Sequence, residues 1–360
     1  MTTPTLLVSF AVLWCAPLAP QGPDDLPIAE IERHIELQMK EQSLVGLSVA
    51  VGVDGQLVWT RGFGLADLEH DVPATEDTVY RFASVSKPIT AAAVLQLAET
   101  GKVDLEAAVA TYVQDWPEKR WPVTVRQLLC HQGGVRHYLE TDPVQNVRAY
   151  ATATEALHVF SSDPLVAEPG TEYSYSSYGY NLLGAVVEGG SGMPFVEYLK
   201  KHIFPSAGTQ AMQDDASHRI VKNRARGYTR TGGQVRNANL VDTSYKAGAG
   251  GLCGTAADLV RFAHAFRAGK IVPDEARDLA WTRQTIASGK ETGYGLGWFV
   301  GADKSGRRIV RHGGAQTGAL ASLVYFVDDE VVVAMLCNSE WCDPPSIVLP
   351  VLRMLVTAKR

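Results

Sequence analysis

Ser84 and Lys87 stand three residues apart in the stretch Phe82-Ala83-Ser84-Val85-Ser86-Lys87-Pro88-Ile89-Thr90. Residues at that spacing share one face of a helix. A serine hydroxyl is a weak nucleophile until a base takes its proton. A neutral lysine is such a base when burial or a neighbouring positive charge pulls its pKa from about 10.4 toward neutrality. The small, apolar run Ala91-Ala92-Ala93-Val94-Leu95-Gln96-Leu97 predicts a buried helix with Ser84 at its start. There the macrodipole and the unpaired first-turn amides favour negative charge, and Pro88 needs no N–H partner. The same residues would also suit an N-cap and a solvated first-turn lysine, so the chemistry depends on what else the chain brings to them.

Two further stretches supply candidates. Pro169-Gly170-Thr171 leads into Tyr173-Ser174-Tyr175-Ser176-Ser177-Tyr178-Gly179-Tyr180. A phenol beside Ser84 and Lys87 can pass a proton between serine and leaving group, and a neighbouring ammonium would favour its phenolate. Tyr175 is the candidate, with Ser177 two residues on; aromatic clusters also serve as plain packing. The other stretch is Arg311-His312-Gly313-Gly314-Ala315. Its glycines let a ligand approach the backbone closely. His312 is a candidate to bind a carboxylate or to tune Lys87 and Tyr175, or is an ordinary loop residue.

Taken together, these motifs resemble the serine β-lactamase and penicillin-binding-protein superfamily, on its class C and D-alanyl-D-alanine carboxypeptidase side. Ser84-Val85-Ser86-Lys87 is similar to the first motif of that superfamily. Tyr175-Ser176-Ser177, with Gly179-Tyr180-Asn181-Leu182-Leu183-Gly184, resembles the second. His312-Gly313-Gly314 resembles the third, usually Lys-Thr-Gly. Leu128-Leu129-Cys130-His131-Gln132-Gly133-Gly134 and Gly250-Gly251-Leu252 through Thr255-Ala256-Ala257-Asp258-Leu259 are similar supporting stretches, and the likeness runs from about 27 to 357.

The resemblance implies an acyl-enzyme on Ser84, with Lys87 and Tyr175 carrying the protons. It implies an oxyanion hole from the backbone N–H groups of Ser84 and Ala315, beside Gly314 on a strand edge. It also implies substrate contacts from Ser177 and His312. Both depart from the usual pattern. Ser177 replaces an asparagine and has shorter reach and one donor. His312 replaces a lysine, so the fixed positive charge for a substrate carboxylate is lost unless His312 is protonated. These departures move the expectation from a true β-lactamase toward an esterase, amidase or peptidase acting on small peptides, esters or lactams. No Glu-x-x-Leu-Asn stretch is present, against the class A deacylation route. A penicillin-binding or sensing module with little turnover is the rival reading.

The elements that must position these residues read as α+β. Residues 24–42 carry apolar residues at helical spacing. Val45–Val53 and Leu57–Gly64 read as strands joined by an Asp54-Gly55 turn, and residues 65–81 as a loop. From about 84 to 290 the chain is mostly helix and loop. Thr124–Cys130 reads as a short helix, another helix starts near Asn181, 223–246 reads as an exposed excursion, and Gly248–Leu252 as a tight turn before a helix capped by Thr255. The glycines at 248–251 are not followed by a phosphate-loop Lys-Ser/Thr. Gly295–Val300, Arg308–His312, Ala319–Val327 and Val331–Cys337 read as strands, then Ser346–Thr357 as a helix. The economical fold is one antiparallel sheet from both chain ends (about 24–80 and 293–360), flanked by helices, with a mostly helical insertion.

The composition bounds the rest. The chain has 360 residues, 46% hydrophobic and 20% charged, with formal net charge −6 and no long basic run. That argues against nucleic acid; a small-molecule or peptide substrate is what the resemblance implies. No Cys-x-x-Cys pair or His-Glu-x-x-His occurs, so no metal site or cofactor is implied. The apolar Leu6–Ala19 stretch resembles a secretory leader over 1–22, ahead of a single domain over 24–360 and with export to the periplasm or medium. Membrane attachment is expected only if Cys15 is lipidated. Cys337 and Cys342 are near enough in sequence for a local bridge, the alternative being buried thiols.

Overall fold

The computed structural model describes residues 26–142 and 147–359; the leader and Cys15 lie outside them. Seven strands form one sheet in the order Val72–Pro73, Gln56–Asp67, Gly46–Val53, Val331–Cys337, Ala319–Phe326, Arg308–Gln316, Phe299–Ala302. Every pairing is antiparallel. The two chain ends meet where Val49 lies opposite Met335 and Val51 opposite Val333. Asp54 and Gly55 both take positive φ, 49° and 78°, which gives the turn the twist of its hairpin.

The central strands are buried on both faces, and the period of two sorts their side chains. Leu47, Val49 and Val51, with Val331, Val333 and Met335, join Ile31, Ile35, Ile347, Val351 and Leu355 of the terminal helices Ile28–Gln42 and Pro344–Ala358. Ala50, Val332, Ala334 and Leu336 face the other way, into the core built by the helical region. The helix Ala256–Arg267 packs directly on that face, started by a reciprocal Thr255/Asp258 capping box. At the centre lies Ser86–Glu99, apolar nearly all round and buried along most of its length. Ser177–Ser191 packs against it. The α+β architecture is the one the sequence implied.

Several local readings differ. The supposed loop 65–81 carries the end of a longer second strand, the edge strand Val72–Pro73 and a short strand Tyr80–Arg81. The helix placed near Asn181 starts at Ser177, because the Ser176 hydroxyl caps it by accepting from the Gly179 N–H at 2.9 Å. Residues 223–246 are only partly an exposed excursion: a hairpin pairs Tyr228–Thr231 with Gln234–Asn237, and Val241 to Lys246 is mostly buried. Gly248–Leu252 is a short helix, Ala247–Gly250, running into a strand, Leu252–Gly254. The strand read at Gly295–Val300 forms at Phe299–Ala302, and that read at Arg308–His312 extends to Gln316. Cys130, Cys253, Cys337 and Cys342 are buried free thiols, so the local bridge is not formed. Among the described residues, no helix is long and apolar enough to cross a membrane.

Candidate active site

Ser84 sits in a single 3₁₀ turn, Ala83–Val85, just before the Ser86–Glu99 helix rather than inside it. Ala83 takes φ 47°, the left-handed region that disfavours a Cβ. The turn is held by the Phe82 N–H donating to the Leu252 carbonyl at 2.9 Å. It leaves Ser84 half-buried, facing a cleft.

Lys87 is fully buried. Its Nζ lies 2.9 Å from Ser84 Oγ, 3.1 Å from Ser177 Oγ and 3.0 Å from the Ala249 carbonyl oxygen. Burial, then the charge of Lys246, drives its pKa well below the ordinary lysine value. A neutral amine has two N–H donors and one lone pair. The Ala249 carbonyl can only accept; with Ser177 Oγ accepting the second N–H, the lone pair of the neutral form is free for the Ser84 O–H. Thr90, one turn on, donates to the Gly248 carbonyl at 2.6 Å. One helix face therefore anchors the Ala247–Gly250 segment by two successive carbonyls.

Tyr175 lines the same cleft, near enough to Ser84 for the serine hydroxyl to ease ionisation of its phenol. The Lys87 amine is 4.8 Å from its ring centre. Burial pushes the Tyr175 pKa up to about 12, against the smaller pull of the Ser84 hydroxyl. The expected phenolate is therefore corrected: burial keeps the phenol protonated at neutral pH. His131 positions this segment. Its carbonyl accepts from Ser174 N–H at 2.8 Å, and its Nδ1 from Ser176 N–H at 3.1 Å. Its ring lies 4.3 Å from that of Tyr175.

The third motif lies on a strand rather than a loop. The strand Arg308–Gln316 pairs outward with Phe299–Ala302 only over residues 308–311, so its edge from His312 onward meets the Ala83–Val85 turn. A Cβ on Gly314 would stand 2.4 Å from the Phe82 carbonyl oxygen and 3.0 Å from the Ser84 nitrogen. His312 and Gly314 point inward, while Gly313 and Ala315 are exposed to the cleft. The His312 Nδ1 lies 2.7 Å from the Gly313 carbonyl and so carries the proton; Nε2 then accepts from the Tyr294 hydroxyl at 3.0 Å. Burial lowers the His312 pKa to about 3. The ring is neutral and engaged at both nitrogens, so it offers no positive charge to a substrate carboxylate.

The cleft has a volume of about 620 Å³, ordinary for a small-molecule site. Ser84, Tyr175, Ser177, His312, Gly314 and Ala315 all line it, and Lys87 stands behind Ser84. Three residues there were not singled out from the sequence. His137 Nδ1 accepts from the Ser177 N–H at 3.1 Å, and Tyr138 lines the cleft beside it, its ring 4.4 Å from that of His137. Lys246 is the third. Arg136 fixes the His137 segment by pairing with Asp142 at 2.7 Å and Asp163 at 2.6 Å. A lone histidine or lysine in a polar loop gives no periodic signal, which is why these escaped; the Gly-rich run after Lys246 was the one available marker of a packed backbone.

The chain resembles known proteins over most of its length. The family model described as Beta-lactamase matches residues 31–348. The human serine beta-lactamase-like protein LACTB, mitochondrial, is 28% identical, the match covering 82% of this chain and 73% of the relative. Esterase EstB of Burkholderia gladioli is also 28% identical, over 86% of this chain and 89% of its own. Among solved structures, the octameric penicillin-binding protein homologue from Pyrococcus abyssi superposes with a TM-score of 0.78 at 26% identity, covering 92% of this chain and 78% of that one.

Proposed function

Since the chain belongs to the Beta-lactamase family, we propose that it is a serine hydrolase working through an acyl-enzyme on Ser84, with small esters, amides or peptides as substrates. The observation that carries this is the buried Lys87, its pKa driven well below the ordinary lysine value and its amine 2.9 Å from the Ser84 hydroxyl. Lys87 takes the proton as Ser84 Oγ attacks the substrate carbonyl. The oxyanion that forms is held by the backbone N–H groups of Ser84 and Ala315. Collapse expels the alcohol or amine, protonated by Lys87 through the Tyr175 hydroxyl. Water, deprotonated by the same pair, attacks the ester carbonyl, and Ser84 regains its proton as the acid leaves.

The neutral His312 and the short Ser177 favour esters and peptides over lactams. The name of Esterase EstB supports the ester reading. The reading includes one hydrolase domain over 24–360 and export through the Leu6–Ala19 stretch, tested by the mass of the mature secreted protein. Turnover of a chromogenic ester and of nitrocefin by wild type and Ser84→Ala tests the activity. Ester hydrolysis that falls at least about 10³-fold in Ser84→Ala, with slower lactam turnover in wild type, is expected. Ester turnover retained in Ser84→Ala sinks the proposal.

A further inference from the structure

Lys246 projects from the Ser244–Lys246 turn into the cleft that holds Ser84. It is only 8% exposed. Its amine lies 5.8 Å from the Tyr138 ring centre and 5.5 Å from that of Tyr245. Among the described residues it forms no ion pair. The one carboxylate that attracts it, Asp215, is fully buried and already taken by Arg81 at 2.9 Å and Arg224 at 3.7 Å. Arg81 also donates to the carbonyls of Thr317 and Val241.

Three cations thus share one buried carboxylate beside the cleft. A buried charge is costly unless something pairs with it, and nothing in this wall does so for Lys246. The other charged side chain lining the cleft is Arg311, also a cation, stacked 5.2 Å over Phe299. Gln316, on the same cleft wall, has neither its carboxamide oxygen nor its nitrogen bonded among the described residues. The cleft therefore presents cationic and uncommitted polar groups, and no carboxylate, to whatever enters. Burial and Arg81 bring the Lys246 pKa down to about 8, with Asp215 opposing. The amine is still mostly protonated at neutral pH.

We propose that Lys246 is the specificity residue of this cleft, binding a carboxylate carried on the acyl part of the substrate. It replaces, from a different element, the positive charge that His312 does not provide. This rests on the acyl-enzyme reading of Ser84. Lys246 lies three residues from Ala249, whose carbonyl holds Lys87, and against Tyr138, which lines the cleft beside His137. That is the same wall as the base, so the carboxylate would sit a short chain away from the scissile carbonyl.

The test compares the mono-4-nitrophenyl ester of glutaric acid with its neutral glutaramide counterpart, which has the same shape. Wild type is expected to favour the acid ester at least about tenfold in kcat/KM. That ratio should collapse toward one in Lys246→Met and largely survive in Lys246→Arg. A ratio near one in wild type, or a ratio unchanged in Lys246→Met, overturns the inference. Taking the ratio removes any effect of Lys246 on the base, which both esters share. A second measurement is independent of turnover: glutarate is titrated calorimetrically into Ser84→Ala and into Ser84→Ala with Lys246→Met. Binding that disappears in the double variant supports the subsite even if neither ester is hydrolysed, the result that would fell the hydrolase reading alone. Equal hydrolysis of both esters with no glutarate binding fells this inference and leaves the hydrolase standing.

Discussion

The position of a Cβ on Gly314 lies 3.0 Å from the amide nitrogen of Ser84. The strand edge and the nucleophile turn therefore meet backbone to backbone, at a separation that leaves no room for a side chain. Gly314→Ala must displace the Phe82–Ser84 turn, since the nearer obstacle is the Phe82 carbonyl oxygen at 2.4 Å. Loss of at least about 10²-fold in kcat/KM is expected, the scale for losing one oxyanion donor. At Gly313 a Cβ would find only the Ala321 carbonyl oxygen, at 4.0 Å. Gly313→Ala should fold with an unchanged melting temperature. Measuring both variants with one ester checks the contrast; equal activities would contradict it.

The pH profile follows from the neutral base. Activity should rise as Lys87 loses its proton, with an apparent pKa well below the ordinary lysine value. For a neutral ester it should not fall on the alkaline side until Tyr175 ionises near 12, whereas for a carboxylate-bearing ester kcat/KM should fall earlier, as Lys246 loses its proton at about 8. His312, lowered to about 3, adds no step between pH 5 and 8. The Lys246 charge disfavours the Lys87 ammonium, so Lys246→Met should raise the Lys87 pKa and move the acid limb of kcat/KM to higher pH. A shift in the other direction would show that Lys246 does not act on Lys87 through its charge.

Ser177 holds one of the two N–H donors of the Lys87 amine, at 3.1 Å. Ser177→Ala leaves that donor buried and unpaired and frees the amine to turn away from Ser84. One such hydrogen bond is worth about 1 kcal/mol, so kcat should fall roughly fivefold with KM for a neutral ester little changed. A rise in KM alone would instead make Ser177 a substrate contact and not a support for the base.

Lys87 is also a liability to the fold. Burial holds its folded pKa well below the ordinary lysine value, so between the two values the unfolded chain binds the extra proton and stability rises with pH toward the ordinary lysine pKa. Replacing it with an apolar side chain of similar length removes that penalty. Lys87→Met is expected to be inactive and more stable at neutral pH, with the gain shrinking as pH approaches 10. Denaturant melts of both proteins at pH 7 and pH 9.5 check the size and the trend.

Much of this was legible in the residues because it rests on local pattern. The strand Val331–Cys337 ends where its apolar run ends, and Thr255 and Asp258 announce their helix by capping chemistry. Ser84, Lys87 and Tyr175 converge on one point of the structure because each lies on an element with a strong signal. What escaped was set by tertiary packing. The Ser177 helix begins four residues early because its cap is a serine within a run of serines and tyrosines. Gly248–Leu252 reads as a turn until the Thr90 and Lys87 side chains are seen holding its carbonyls. Lys246 lies in a polar stretch whose burial depends on Arg81 and Asp215, far away in sequence. The protonation states of Lys87 and Tyr175 likewise follow from burial, which residue spacing does not report.

The central claim is that Ser84 becomes acylated. A fluorophosphonate probe phosphonylates an activated serine, with Oγ displacing fluoride. Its adduct is read by intact mass and placed by peptide mass, in wild type, Lys87→Met and Ser84→Ala. One stoichiometric adduct on the peptide containing Ser84 is expected in wild type, much slowed in Lys87→Met and absent in Ser84→Ala. Labelling that persists in Ser84→Ala, or a wild-type protein that takes no label, would contradict the account.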